Sequence, residues 1–211
     1  MALIDAHTLW PGICQRLKPC FNQYYAENPT RGTLIFIDTE TSGFRDADII
    51  ELGAISVGPA TSEAMDVELD YFCKLIYPGP MARISPWATK VHGITDKILV
   101  RHGQPPIDVF KSFLHWTGTK SPQYFVAHNA RFDRGMLEND LRKHGIICIL
   151  PKFLCTLTMA KALPLSSRKL GAVASHFDYS NQRAHRSLTD AEVCAYIFAQ
   201  MSLMGIKLIG P

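Results

Sequence analysis

The chain has 211 residues, a length that suits one domain, or one domain with an extension, and needs no disulfide or metal staple to fold. Hydrophobic residues make up 47% and charged ones 19%, with a formal charge of +3, which excludes a disordered or low-complexity chain and permits contact with phosphate without arguing for it. No apolar run approaches the ~18 residues of a membrane span, and Asp5, His7 and the Trp10-Pro11-Gly12 break argue against a signal peptide, so a soluble, intracellular protein is expected.

Residues 1–31 read as an N-terminal extension. Leu9, Ile13, Leu17, Phe21, Tyr24 and Tyr25 recur at loosely helical spacing, interrupted by Pro11 and Pro19. This predicts a short helix or two on the domain surface, with Asn28-Pro29 as the joint. Residues 32–205 form the domain and 206–211 a short tail. Leu34–Ile37 is nearly continuous in β-branched and aromatic residues, the mark of a strand buried on both faces. Strands around Ile49–Val57 and Val67–Ile76 follow without helices between them, which suggests an antiparallel meander. Pro105–Trp116 reads as a helix opened by proline, Tyr124–Ala127 as a short buried strand, and Ala130–Lys143 as a helix closed by Gly145. Helices fill much of the rest, the last carrying Val193, Cys194, Ile197, Phe198 and Met201. The fold class is α/β with a mixed sheet.

The acids fall at the ends of these elements. Asp38 and Glu40 follow the first strand, two apart and therefore on one side of it, with Thr39 facing away. Two such carboxylates repel and lose hydration unless a cation joins them. Asp133, in His128-Asn129-Ala130-Arg131-Phe132-Asp133, lies in the first turn of a helix. Asp190, in His185-Arg186-Ser187-Leu188-Thr189-Asp190, opens the last one, and a loop histidine such as His185 can take a proton near neutral pH. Each segment alone has a plainer reading: acids turned to solvent, an acid complementing a helix dipole with Asn129 as its cap, and a Ser187-x-x-Asp190 capping box. Arg131, Arg134, Arg183 and Arg186 crowd these segments and read as phosphate contacts or as solvated charges. Phe44 reads as a base-stacking wedge or as a loop aromatic folded onto the core.

All three segments in one chain, with Val91-His92-Gly93-Ile94-Thr95 between the first two, resemble the DEDDh group of 3′–5′ exonucleases. This is the DnaQ-like family of the proofreading epsilon subunit and ribonuclease T. Histidine five before the last acid, with Arg186 where a sister group has tyrosine, selects the histidine subgroup. The resemblance implies an RNase H-like fold with a mixed five-stranded sheet flanked by helices. It implies that Asp38, Glu40, Asp133 and Asp190 hold two divalent cations, Mg²⁺ or Mn²⁺, that His185 is the general base, and that Thr41, His92, Asn129 and Phe132 contact the terminal nucleotide. Asn129 also reads as a cap, Phe132 as core and His92 as a satisfied loop histidine. Four carboxylates suit hard divalent ions in a two-metal displacement, whereas no cysteine or histidine pair has a zinc spacing. The expected activity is release of nucleoside monophosphates from single-stranded or frayed 3′ ends, DNA before RNA. The alternatives are a 3′ exoribonuclease and an inactive nucleic-acid-binding subunit. The extension is a candidate surface for a protein partner.

Overall fold

The computed structural model describes residues 6–43, 47–61, 66–180 and 185–207. Phe44 and Arg183 lie outside them, as does the end of the tail.

A run as apolar as Leu34–Ile37 is stable only where both faces are covered, and it sits at the centre of the sheet. The strands are β1 (Leu34–Thr41), β2 (Ile49–Gly58), β3 (Glu68–Leu75), β4 (Tyr124–Ala127) and β5 (Lys152–Cys155), in the order β3-β2-β1-β4-β5. The first three form the expected antiparallel meander, and β4 and β5 join in parallel. The mixed five-stranded RNase H-like sheet is thus present. Strand β5, four residues long, carries no alternation that marks it in the sequence.

The helices are α1 (Ala6–Glu27), α2 (Pro86–His92), α3 (Asp96–His102), α4 (Pro106–Lys120), α5 (Ala130–Lys143), α6 (Thr156–Met159), α7 (Leu170–His176) and α8 (Ser187–Leu203). Side-chain alternation on β1 divides them. Leu34 and Phe36 pack with α1 and α8 on one face, and Ile35 and Ile37 with α4 and α5 on the other. Helix α8 is apolar nearly all round because it lies between the sheet and α1, with Ala191, Ala195, Ile197, Phe198 and Ala199 buried.

The N-terminal segment corrects an expectation. It forms one helix of 22 residues with Pro11 and Pro19 inside it, not a short helix or two on the surface. Each interior proline costs about 3 kcal/mol. Five buried side chains (Ile13, Leu17, Phe21, Tyr24, Tyr25), at about 1.5–3 kcal/mol each, outweigh both. Phe21 stacks edge-on against Phe36 at 5.5 Å, Phe36 meets Phe198 at 5.3 Å, and the Tyr25 hydroxyl donates to the Val57 carbonyl at 2.8 Å. The helix is therefore part of the domain core.

One close approach sets the position of α8. A Cβ on Gly53 would lie 2.4 Å from the Ser187 carbonyl carbon and 2.5 Å from the Leu188 nitrogen, so only glycine lets the start of α8 rest on β2. Nearby, the β1–β2 register slips between Glu40 and Thr41, which face Glu51 and Ile49, so Ile50 is the extra residue of a bulge. Phe21→Ala is expected to cost about 3–5 kcal/mol, read as a lowered midpoint in chemical denaturation. A loss below 1 kcal/mol would mean that α1 is an appendage after all.

Candidate active site

Alternation on β1 aims Asp38 and Glu40 at the face covered by α8, as Leu34 and Phe36 are. Asp190, in the first turn of α8, meets them there. One carboxylate oxygen from each of Asp38, Glu40 and Asp190 lies within 4.8 Å of the others. Burial and mutual repulsion push the Asp38 carboxyl well above its usual range, and burial, with Glu51 and Asp190 next in effect, brings Glu40 to about 8. Among the described residues no lysine, arginine or histidine forms an ion pair with Asp38 or Glu40. Three converging carboxylate oxygens fit a hard divalent cation.

Asp133 lies outside this triad, but its charge is felt by Asp38. Strand β4 pairs with β1 only through Phe36, which leaves the later amides of β1 without a partner strand on that side. Asp133 takes one of them. Its Oδ1 accepts from the Thr39 amide at 3.1 Å and from the Thr39 hydroxyl at 2.9 Å. Thr39 faces away from Asp38 and Glu40, and that is how it reaches α5. Burial raises the Asp133 carboxyl to about 7, against the pull of the Thr39 bonds.

His185 sits on the loop just before α8 with a left-handed backbone (φ 66°), and its amide donates to Asp190 Oδ2 at 2.9 Å. The capping box of the plainer reading does not form. Arg186 occupies the cap position, and the Ser187 hydroxyl makes no capping bond. His185 and Asp190 border a cleft of about 630 Å³ with Lys169 and Tyr179.

The four residues expected at the nucleotide are placed variously. The Thr41 hydroxyl donates to the Gly43 carbonyl at 2.9 Å. His92 is buried, with Nδ1 accepting from the Ile94 amide at 3.0 Å, which leaves the proton on Nε2, 3.3 Å from the Thr41 carbonyl. Burial lowers its pKa and keeps it neutral. Both ring nitrogens thus meet backbone groups, one of them at the end of β1. Asn129 opens α5 in a left-handed conformation without a side-chain cap bond, and borders a separate cleft of about 490 Å³ with Arg131, Arg134 and Lys161. Phe132 is 40% exposed and so is not core.

Sequence reasoning missed Glu51, and read Arg186, like Arg131, Arg134 and Arg183, as a phosphate contact or a solvated charge. The two are paired (below), and Arg134 is paired with Glu138 at 2.7 Å. An acid in the middle of the apolar run Ile49–Val57 is the signal that marks Glu51.

Because Glu40 titrates at about 8 folded against an ordinary 4.5, and Asp133 at about 7 against 3.8, the folded protein binds more protons than the unfolded chain across those intervals, and stability there falls as pH rises. Without divalent ions, the thermal midpoint should therefore drop from about pH 5 to about pH 8, and added Mg²⁺ should restore more at the higher pH. Asp38→Asn should flatten both effects. A wild-type midpoint that climbs over this range in chelator would contradict the site's electrostatics.

A family model described as exonuclease, RNase_T, matches residues 35–198. The chain is 30% identical over 180 residues to DNA polymerase III subunit epsilon of Aquifex aeolicus (strain VF5), covering 83% of each. It is 27% identical over 195 residues to a PolC-type DNA polymerase III of Lacticaseibacillus paracasei, matching 89% of this chain but spanning only 13% of that polymerase. The fold resembles the nuclease domain of 3′hExo, a DEDDh family member bound to rAMP, with a TM-score of 0.71, 16% identity, and coverage of 86% of this chain and 97% of that one. It also resembles E. coli Exonuclease I in complex with a dT13 oligonucleotide, with a TM-score of 0.68, 17% identity, and coverage of 82% and 41%. Among the described residues no helix is long and apolar enough to cross a membrane. With the matched family model extending from the first strand to the last helix, and a relative 30% identical along most of both chains, the chain belongs to the exonuclease family, in the DEDDh branch of 3′–5′ exonucleases.

Proposed function

We propose that the protein removes nucleoside monophosphates from the 3′ ends of single-stranded or frayed DNA, using two divalent ions, Mg²⁺ or Mn²⁺, and a histidine base. The observation that carries this reading is the convergence of Asp38, Glu40 and Asp190, with one carboxylate oxygen from each within 4.8 Å of the others. Asp133 completes the ligand set from the other side of β1. Divalent ions held there supply Lewis acidity and charge neutralisation to the scissile phosphate. His185, on the loop beside Asp190, accepts a proton from the attacking water as the water oxygen bonds to phosphorus and the phosphorus–O3′ bond breaks; solvent protonates the departing O3′, so the shortened strand leaves with a 3′ hydroxyl and the released nucleotide keeps the phosphate. Thr41, His92 and Phe132 contact the terminal nucleotide, and His92 also holds the Thr41 carbonyl. Asn129 joins them from the start of α5.

DNA is favoured by the likeness to epsilon and PolC-type polymerase subunits, and a polymerase is the corresponding protein partner. The 3′ exoribonuclease reading draws on the fold shared with a 3′-exonuclease that recognises a histone mRNA stem-loop. An inactive binding subunit is disfavoured because each acid of the motif and His185 are present. Protein of this sequence in a soluble, intracellular compartment meets both nucleic acids, so the assay decides. Matched single-stranded DNA and RNA oligomers should be shortened from the 3′ end, DNA faster.

His185→Ala should slow hydrolysis about 10²–10⁴-fold while Mn²⁺ binding persists. Near-wild-type activity would remove His185 as the base. Circular single strands should resist the enzyme. Their cleavage at a rate comparable to linear DNA would rule out an exonuclease that needs a 3′ end.

A further inference from the structure

Glu51 faces Glu40 across β1 and β2 and is only 1% exposed. A fifth acid this close would deepen the repulsion in the triad if nothing answered it. Arg186 answers it: Nε lies 3.1 Å from each Glu51 oxygen, and Nη2 also bonds Oε1. The Ser187 amide donates to Glu51 Oε2 at 2.9 Å. The Arg186 carbonyl accepts from the Asp190 amide at 3.0 Å and the Thr189 hydroxyl at 2.9 Å, so the arginine is tied to the residue that joins the triad.

The guanidinium also feels the Glu40 charge, and Glu40 feels it in turn. Arg186 therefore has two carboxylates within its electrostatic reach, on adjacent strands at one register position. Paired with Glu40, it would satisfy with an immobile cation the charge that otherwise draws a divalent ion. Its fork geometry commits it to Glu51 instead, through bonds to both oxygens. Resting on the reading of Asp38, Glu40 and Asp190 as metal ligands, we propose that Glu51 is a positioning residue that holds Arg186 off Glu40 and so keeps the triad open to cations.

The test is direct Mn²⁺ binding to the metal-free protein, followed by electron paramagnetic resonance of the free ion, with thermal unfolding as a check on folding. Glu51→Gln keeps the size of the side chain and an acceptor for the Ser187 amide, but releases Arg186. It should weaken Mn²⁺ binding about 10–100-fold. Adding Arg186→Gln removes the released cation, and the double variant should regain most of the affinity. Arg186→Gln alone should bind Mn²⁺ at least as tightly as wild type. A purely structural role predicts the opposite pattern, with each variant weaker and the double variant weakest. That pattern, or Glu51→Gln binding like wild type while Asp38→Asn loses the ion, would overturn the proposal and leave the metal reading intact. A wild-type protein that binds no Mn²⁺ would overturn both.

Discussion

The start of α8 touches β2 with no side chain between them, and the site depends on that contact. Gly53 supplies the space, and Glu51, two residues earlier, receives both the Ser187 amide and the Arg186 guanidinium. A helix docked this closely carries its first-turn acid to the end of the neighbouring strand. Asp190 therefore meets Asp38 and Glu40 through backbone geometry, before any cation is considered. Bulk at position 53 would lift the helix and separate the triad. The glycine is thus as much a part of the site as the acids are.

The arrangement has a cost. Buried carboxylates at one strand end oppose one another, and among the described residues the strongest nearby cation is already committed to Glu51. The rest of the fold offsets this. Helix α1 closes the core over α8 through Phe21, Tyr24 and Phe198, and Arg16 of α1 binds Glu192 of α8 at 2.6 Å. Asp133 brings a further opposing charge but also ties β1 to α5 through Thr39. The carboxylates that cost stability are the ones the proposed reading gives to a divalent ion, as expected where function is built on stored electrostatic repulsion.

Much of this was legible in the sequence because its cause is local. The apolar run before Asp38 predicts a central strand, the two-residue spacing of Asp38 and Glu40 puts them on one face, and Asp133 and Asp190 fall in the first turns of helices. What was not legible depends on distant partners. Prolines 11 and 19 argue locally for a broken helix, and only the burial of Ile13, Leu17 and Phe21 against α8 and β1 overrides them. The Ser187-x-x-Asp190 pattern suggests a capping box, but Ser187 is pressed against Gly53 and Asp190 turns to the His185 amide. Arg186 looks like a free phosphate contact until its partner, 135 positions earlier, is known.

The central claim is that docking α8 on β2 builds a cation site from Asp38, Glu40 and Asp190. Crystals grown with Mn²⁺ and measured near the manganese absorption edge test it most directly. The account predicts anomalous density bridging these three carboxylates, with Arg186 still on Glu51. Manganese bound elsewhere, or a triad closed by an ion pair between Arg186 and Glu40, would contradict it.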